Sequence, residues 1–178
     1  MSISTLISKF IPILYNVRNN LTPAPLKHIY NGIIYPNLTY CISIWGTSTK
    51  FHLKPLFILQ KKLIRIMSFK NRIEHSAPLF KSLFILPLNL MTIYMTCTYV
   101  FELLQRGDYA YFAISNCPYG TRRSDAPTLS LPPIMTTHGR QSLLWTGAST
   151  WNDLPRELRL VSSWQTFKRE LKKYLLSV

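Results

Sequence analysis

The sequence predicts a mostly α-helical protein, and three observations carry that prediction. Apolar residues recur at three- and four-residue spacing through several segments. Pro23, Pro78 and Pro87 stand where helices begin, the position at which a missing N–H costs nothing. Residues rich in Gly, Pro, Ser, Thr and Asp are gathered in one stretch, 120–137, where regular helix is prevented.

In chain order, Ile3, Leu6, Ile7, Phe10, Ile13, Leu14 and Val17 share a helical face. Residues 3–19 therefore read as an amphipathic helix, kinked at Pro12. Thr22 before Pro23 reads as the cap and first turn of a second helix carrying Leu26, Ile29, Tyr30 and Ile33, with Pro36 as its end and as a candidate start for another. Residues 37–45 are apolar almost throughout and suit either a buried helix or a buried strand, with Gly46 as the break. Between 49 and 69, Leu53, Leu56, Phe57, Leu63, Ile64 and Met67 form one face and cations take other positions, giving the clearest basic amphipathic helix in the chain.

Ser76-Ala77-Pro78 reads as a helix start, and Pro87 opens a helix to about Arg106 with Gly107 past its end. Residues 82–101 carry no charge, a length that also spans a bilayer. Pro87, Asn89 and three threonines interrupt that stretch, so two helices buried in a core are the expected outcome. Residues 142–145 read as a short strand, 147–152 and 155–160 as single helical turns, and Ser162 with Gln165 as a capping box for a last helix reaching Leu176. Three regions result: a helical region 1–106, an irregular linker or loop over the core at 107–140, and a C-terminal unit 141–178 ending in an amphipathic helix.

Among 178 residues, 21 Lys and Arg face 7 Asp and Glu, a formal charge of +14. With 47% apolar and 13% aromatic residues, a disordered basic tail is excluded, and the expected partner is a polyanion such as an RNA or DNA backbone. An anionic membrane surface is the alternative, with 82–101 as the inserted segment. No acid precedes Glu74, while ten cations do. Seven of those are Lys50, Lys54, Lys61, Lys62, Arg65, Lys70 and Arg72, and this run is expected to contact phosphates. Arg122, Arg123, Lys168, Lys172 and Lys173 are expected to form a second cationic surface. Trp45, Trp151 and Trp164 read as core anchors, each lying in an apolar neighbourhood.

The chemistry of catalysis is sparse. The acids include no D-x-D or D-D pair, and the only close pair, Asp153 and Glu157, brackets Pro155; Mg²⁺-dependent phosphoryl transfer needs convergent carboxylates. There is no phosphate-binding loop, dinucleotide turn or nucleophile elbow. Cys41, Cys97 and Cys117 and the four histidines lack metal-ligand spacing. No cofactor, metal or catalytic residue is expected, the thiols read as free, and with no secretory signal the setting is expected to be cytoplasmic or nuclear.

Two stretches read together. One is Ile29-Tyr30-Asn31-Gly32-Ile33-Ile34-Tyr35-Pro36-Asn37-Leu38-Thr39-Tyr40-Cys41, then Trp45-Gly46, then Leu59-Gln60-Lys61-Lys62-Leu63-Ile64-Arg65-Ile66. It closely resembles the region just after the catalytic palm in LINE-like, non-LTR retrotransposon reverse transcriptases. The other is Thr121-Arg122-Arg123, Thr137-x-Gly139-x-x-Ser142, Gly147-x-x-x-Trp151-Asn152-x-Leu154-Pro155, Phe167-Lys168 and Tyr174-Leu175, which is similar to the tail that ends many of those polyproteins. The resemblance implies a helical thumb over 1–106, a unit that grips the template-primer duplex through its backbone, followed by the post-thumb tail. The family's aromatic-x-Asp-Asp turn and its endonuclease lie outside the matched region. The resemblance therefore implies a catalytically inactive remnant with sequence-nonspecific nucleic-acid binding, whose second partner is the upstream polymerase part.

Overall fold

The computed structural model describes residues 3–115 and 126–177, with Lys50 by its backbone alone. The described chain is mostly helical, and its only β pairing is an isolated antiparallel bridge between Ile114 and Leu129. It divides into two compact units, one drawn from Met1–Ile42 and Ser48–Met91, the other from Ser43–Thr47 and Thr92–Val178. The sequence boundary expected at 106 thus falls inside the second unit.

In the first unit α1 (Ile3–Val17) runs through Pro12 and ends in a 3₁₀ turn, Arg18–Asn20. The next segment is α2 (Pro23–Ile29), a π-helical turn (Tyr30–Ile34) and α3 (Tyr35–Thr39). Leu26, Tyr30, Ile34, Leu38 and Ile42 are almost wholly enclosed. Their spacing is a strict four residues, so in an ideal helix each would drift about 40° from the last. The wider π turn takes up part of that drift: the Tyr35 N–H donates to the Tyr30 carbonyl, five residues back. Pro36, which has no N–H to offer, follows in the first turn of α3. A π turn rather than Pro36 follows α2, Pro36 stands at the start of α3 as the sequence also allowed, and 37–45 is helical on either side of a turn rather than strand. Here α3 ends at Thr39, Cys41 turns the chain with φ 50°, and α4 (Ile42–Trp45) follows.

Helix α5 (Lys50–Met67) buries Leu56, Gln60, Leu63, Ile64 and Met67. Gln60 is fully enclosed. Its Nε2 donates to Tyr30 Oη at 3.1 Å and to the Leu86 carbonyl at 3.0 Å, and its Oε1 accepts from the Leu88 N–H at 2.9 Å. Burial raises the Tyr30 hydroxyl pKa, opposed by that Gln60 bond. Helix α6 (Ala77–Leu83) starts one residue after Ser76 and stops at Phe84, in the left-handed region.

Helix α7 (Leu88–Gln105) begins in the first unit and continues into the second. Gly107 follows with φ 71°, and the Asp108 N–H reaches back to the Leu103 carbonyl, a left-handed helix stop that glycine makes without steric cost. No single described helix is long and apolar enough to cross a membrane; α6 and α7 pass that test only together, bent by 45°. Ile85, Leu86, Leu88, Met91, Cys97, Val100 and Phe101 are buried.

The second unit's core is aromatic. Phe101 and Phe167 stack at 4.3 Å, and Trp151 lies 5.8 Å from Phe167. Helices α8 (Leu143–Asn152), α9 (Arg156–Arg159) and α10 (Trp164–Ser177) complete it. The strand expected at 142–145 is instead the start of α8, because Ser142 caps it, its side chain accepting from the Trp145 N–H. Helix α10 starts at Trp164 and the Phe167 N–H donates to the Ser163 carbonyl, one residue out of register with a box at Ser162. Trp164 is 37% exposed while Trp151 is enclosed, so of the expected anchors Trp151 alone is a full core residue.

The described parts of the irregular region, 107–115 and 126–140, include residues that pack into the second unit's core. Phe112, Ala126 and Leu129 are buried, and Trp151 with Asn152 holds this segment. The Trp151 indole N–H donates to the Pro127 carbonyl at 2.9 Å. The Asn152 carboxamide pairs with both the N–H and the C=O of Leu129, each at 2.9 Å, doing what a neighbouring strand would do. At Gly147 an added Cβ would meet Phe112 Cζ at 2.7 Å, so helix and loop touch where only glycine fits.

Two substitutions test these contacts. Gln60→Ala leaves a hydroxyl, a carbonyl and an amide unsatisfied and should cost about 3 kcal/mol, read as a lower midpoint in urea, with exposed Lys54→Ala within about 0.5 kcal/mol of the parent. Gly147→Ala should cost about 1–3 kcal/mol by overpacking; an unchanged midpoint would contradict the packing described.

Candidate nucleic-acid interface

Helix α1 packs along α5, and beside their junction lies a cleft of about 730 Å³. From α1 and its 3₁₀ turn come Ile11, Pro12, Tyr15, Asn16 and Arg18; from α5 come Ile58, Lys61, Lys62, Arg65 and Ile66. Positions 54, 58, 61 and 65 follow one another at three- and four-residue steps and 62 lies four beyond 58, so all five share a face of α5 turned away from Leu56, Gln60, Leu63 and Met67.

Lys70 and Arg72 reach the cleft through the way α5 ends. Phe69 takes φ 56°, the Phe69 N–H donates to the Ile66 carbonyl, and the Lys70 N–H reaches back five residues to the Arg65 carbonyl at 3.0 Å. This is a left-handed helix stop without glycine, which costs about 1–2 kcal/mol. It turns the chain so that Arg65 Nε donates to the Glu74 carbonyl at 2.8 Å, fixing that guanidinium. Backbone strain here coincides with the assembly of the cleft.

Six cations therefore line one cleft: Arg18, Lys61, Lys62, Arg65, Lys70 and Arg72. Among the described residues the one carboxylate paired with any of them is Glu74, 3.1 Å from Lys70 and half exposed, a pairing worth little in water. Lys61 lies over the Phe57 ring at 4.1 Å. The Arg18 guanidinium sits 4.7 Å from the Tyr15 ring and 5.8 Å from the Phe69 ring, and its Nε is enclosed without a hydrogen-bond partner. Concentrated like charge in a concave wall of low dielectric focuses positive potential outward.

The sequence-predicted cations thus separate. Lys61, Lys62, Arg65, Lys70 and Arg72 come together, and the structure adds Arg18 and Tyr15. Lys54 is exposed on the same face of α5 outside the cleft, and Lys50 opens that helix. Lys168, Lys172 and Lys173 lie on α10 in the second unit. There Glu170 accepts from Lys173 at 3.1 Å and from Arg169 at 3.0 Å, which holds its carboxyl below the usual range and offsets part of that surface's charge. Arg122 and Arg123 lie outside the described residues.

No protein-family model, curated protein or solved structure matches the chain. Among the described residues no three of His, Cys, Asp and Glu gather as a metal site. Cys97 is buried, and burial pushes its thiol up to about 12, opposed by a hydrogen bond with Thr150. A thiol held so stays protonated and poorly nucleophilic at neutral pH.

Cys97, Tyr30 and Tyr35 all have raised pKa values, burial being the main cause. For such groups stability is fully present below the unfolded-state value and lost as pH rises toward the folded one. The melting temperature should accordingly fall as pH is raised from about 9 toward 12. A flat profile across that window in a thermal melt would contradict the burial of these groups.

Proposed function

We propose that this chain is the thumb and post-thumb portion of a LINE-like reverse transcriptase and acts by gripping nucleic-acid backbone, with no catalytic site of its own. The observation that carries the reading is the cleft beside α1 and α5, where six cations meet with one exposed carboxylate as their counter-charge. The motif Leu59-Gln60-Lys61-Lys62-Leu63-Ile64-Arg65-Ile66 supports it from the sequence. In that motif Gln60, Leu63, Ile64 and Ile66 are buried, while Lys61, Lys62 and Arg65 line the cleft. In the second motif Trp151, Asn152 and Leu154 serve the core and its loop, so binding is assigned to the first unit and a scaffold role to these residues. The membrane alternative is less supported, because the apolar side chains of 82–101 are largely enclosed by protein and the helix pair is bent.

Neutralising phosphates releases counterions, so affinity should fall linearly on a logarithmic salt scale. By fluorescence anisotropy with an RNA–DNA duplex, Lys61/Lys62/Arg65→Ala should lower the slope by about two to three and the affinity at low salt by about ten- to a hundredfold. Lys168/Lys173→Ala should do less, since Glu170 already offsets Lys173. Absence of binding at low salt, or binding indifferent to the triple substitution, would overturn the proposal.

A further inference from the structure

The floor of the cationic cleft is apolar. Ile11, Tyr15 and Ile58 stand beside the cations, and Tyr15 and Ile58 are 54% and 43% exposed. Phosphates are satisfied by charge and hydrogen bonds and gain nothing from such a floor. An unpaired nucleotide uses both features, since its base offers a π-face and its phosphates offer charge. Bases in a duplex are stacked and expose only their edges in the grooves. The cleft's volume of about 730 Å³ lies in the range of sites that take a small organic molecule.

Arg18 supplies an independent observation. Its guanidinium lies against two rings, 4.7 Å from Tyr15 and 5.8 Å from Phe69. The residue lines the cleft, and a planar guanidinium held against rings is suited to an anionic oxygen. We propose that the cleft takes an unpaired nucleotide, its base on Ile11, Tyr15 and Ile58 and its flanking phosphates on Arg18, Lys62 and Arg65. The inference rests on nucleic-acid binding at this cleft and adds to it a preference for single strands.

Anisotropy at low salt with three probes tests it: a short single strand, an abasic strand of equal length, and a duplex. The intact strand should bind about tenfold tighter than either of the others. Tyr15→Ala with Ile58→Ala, both at exposed positions, should remove that advantage, so that the intact and abasic strands bind alike. Equal affinity for intact and abasic strands, or tighter binding of the duplex, overturns the inference while backbone binding stands. Binding of none of the three overturns both, as does preference for phosphatidylserine vesicles over every oligonucleotide.

Discussion

The carboxamide of Gln60 is fully enclosed, and its three hydrogen bonds to Tyr30, Leu86 and Leu88 set the rotation of α5 about its own axis. A buried amide tolerates little rotation, because each lost partner leaves a polar group dry. With that side of the helix committed to the interior, the next residues in the chain have no choice. Lys61 and Lys62 are turned to the cleft edge, and Arg65 follows one turn later. A core interaction thus determines where the charge is displayed, which ties the first unit's packing to its chemistry.

The cleft also depends on what the chain lacks. An exposed lysine pair elsewhere would be offset by neighbouring carboxylates, as Glu170 does for Lys173 and Arg169 and Glu102 does for Arg106. Before Glu74 no acid exists to do so, and Glu74 itself spends its carbonyl on Arg65 and its carboxylate on Lys70. Bringing six like charges to one wall costs self-repulsion, and the left-handed Phe69 adds strain. Both costs are concentrated where a polyanion would relieve the first, a distribution typical of functional sites.

Much of the helical framework was legible, because long amphipathic segments such as α1, α5 and α10 carry their period in the residues themselves. The basic face of α5 was legible for the same reason. Arg18 was one cation among ten until packing set α1 beside α5, and no local pattern encodes that pairing. The helix stop at Phe69 was hidden because the residue is not glycine. The π turn was hidden too, although the four-residue spacing of Leu26, Tyr30, Ile34 and Leu38 was its signature. Residues 142–145 misread as strand because four residues fix no period, whereas the cap at Ser142 decides the helix. Trp164 was read as core from its apolar neighbours, yet a helix position beside Lys168 leaves it against solvent.

The central claim is that the wall formed by α1 and α5 is where a polyanion binds. Lysine-selective acylation followed by mass spectrometry, with and without a single-stranded oligonucleotide at low salt, addresses it residue by residue. Protection should fall on Lys61, Lys62 and Lys70, while Lys9 and Lys81, exposed outside the cleft, keep their reactivity. Protection spread evenly over all lysines, or confined to Lys168 and Lys173, would contradict it.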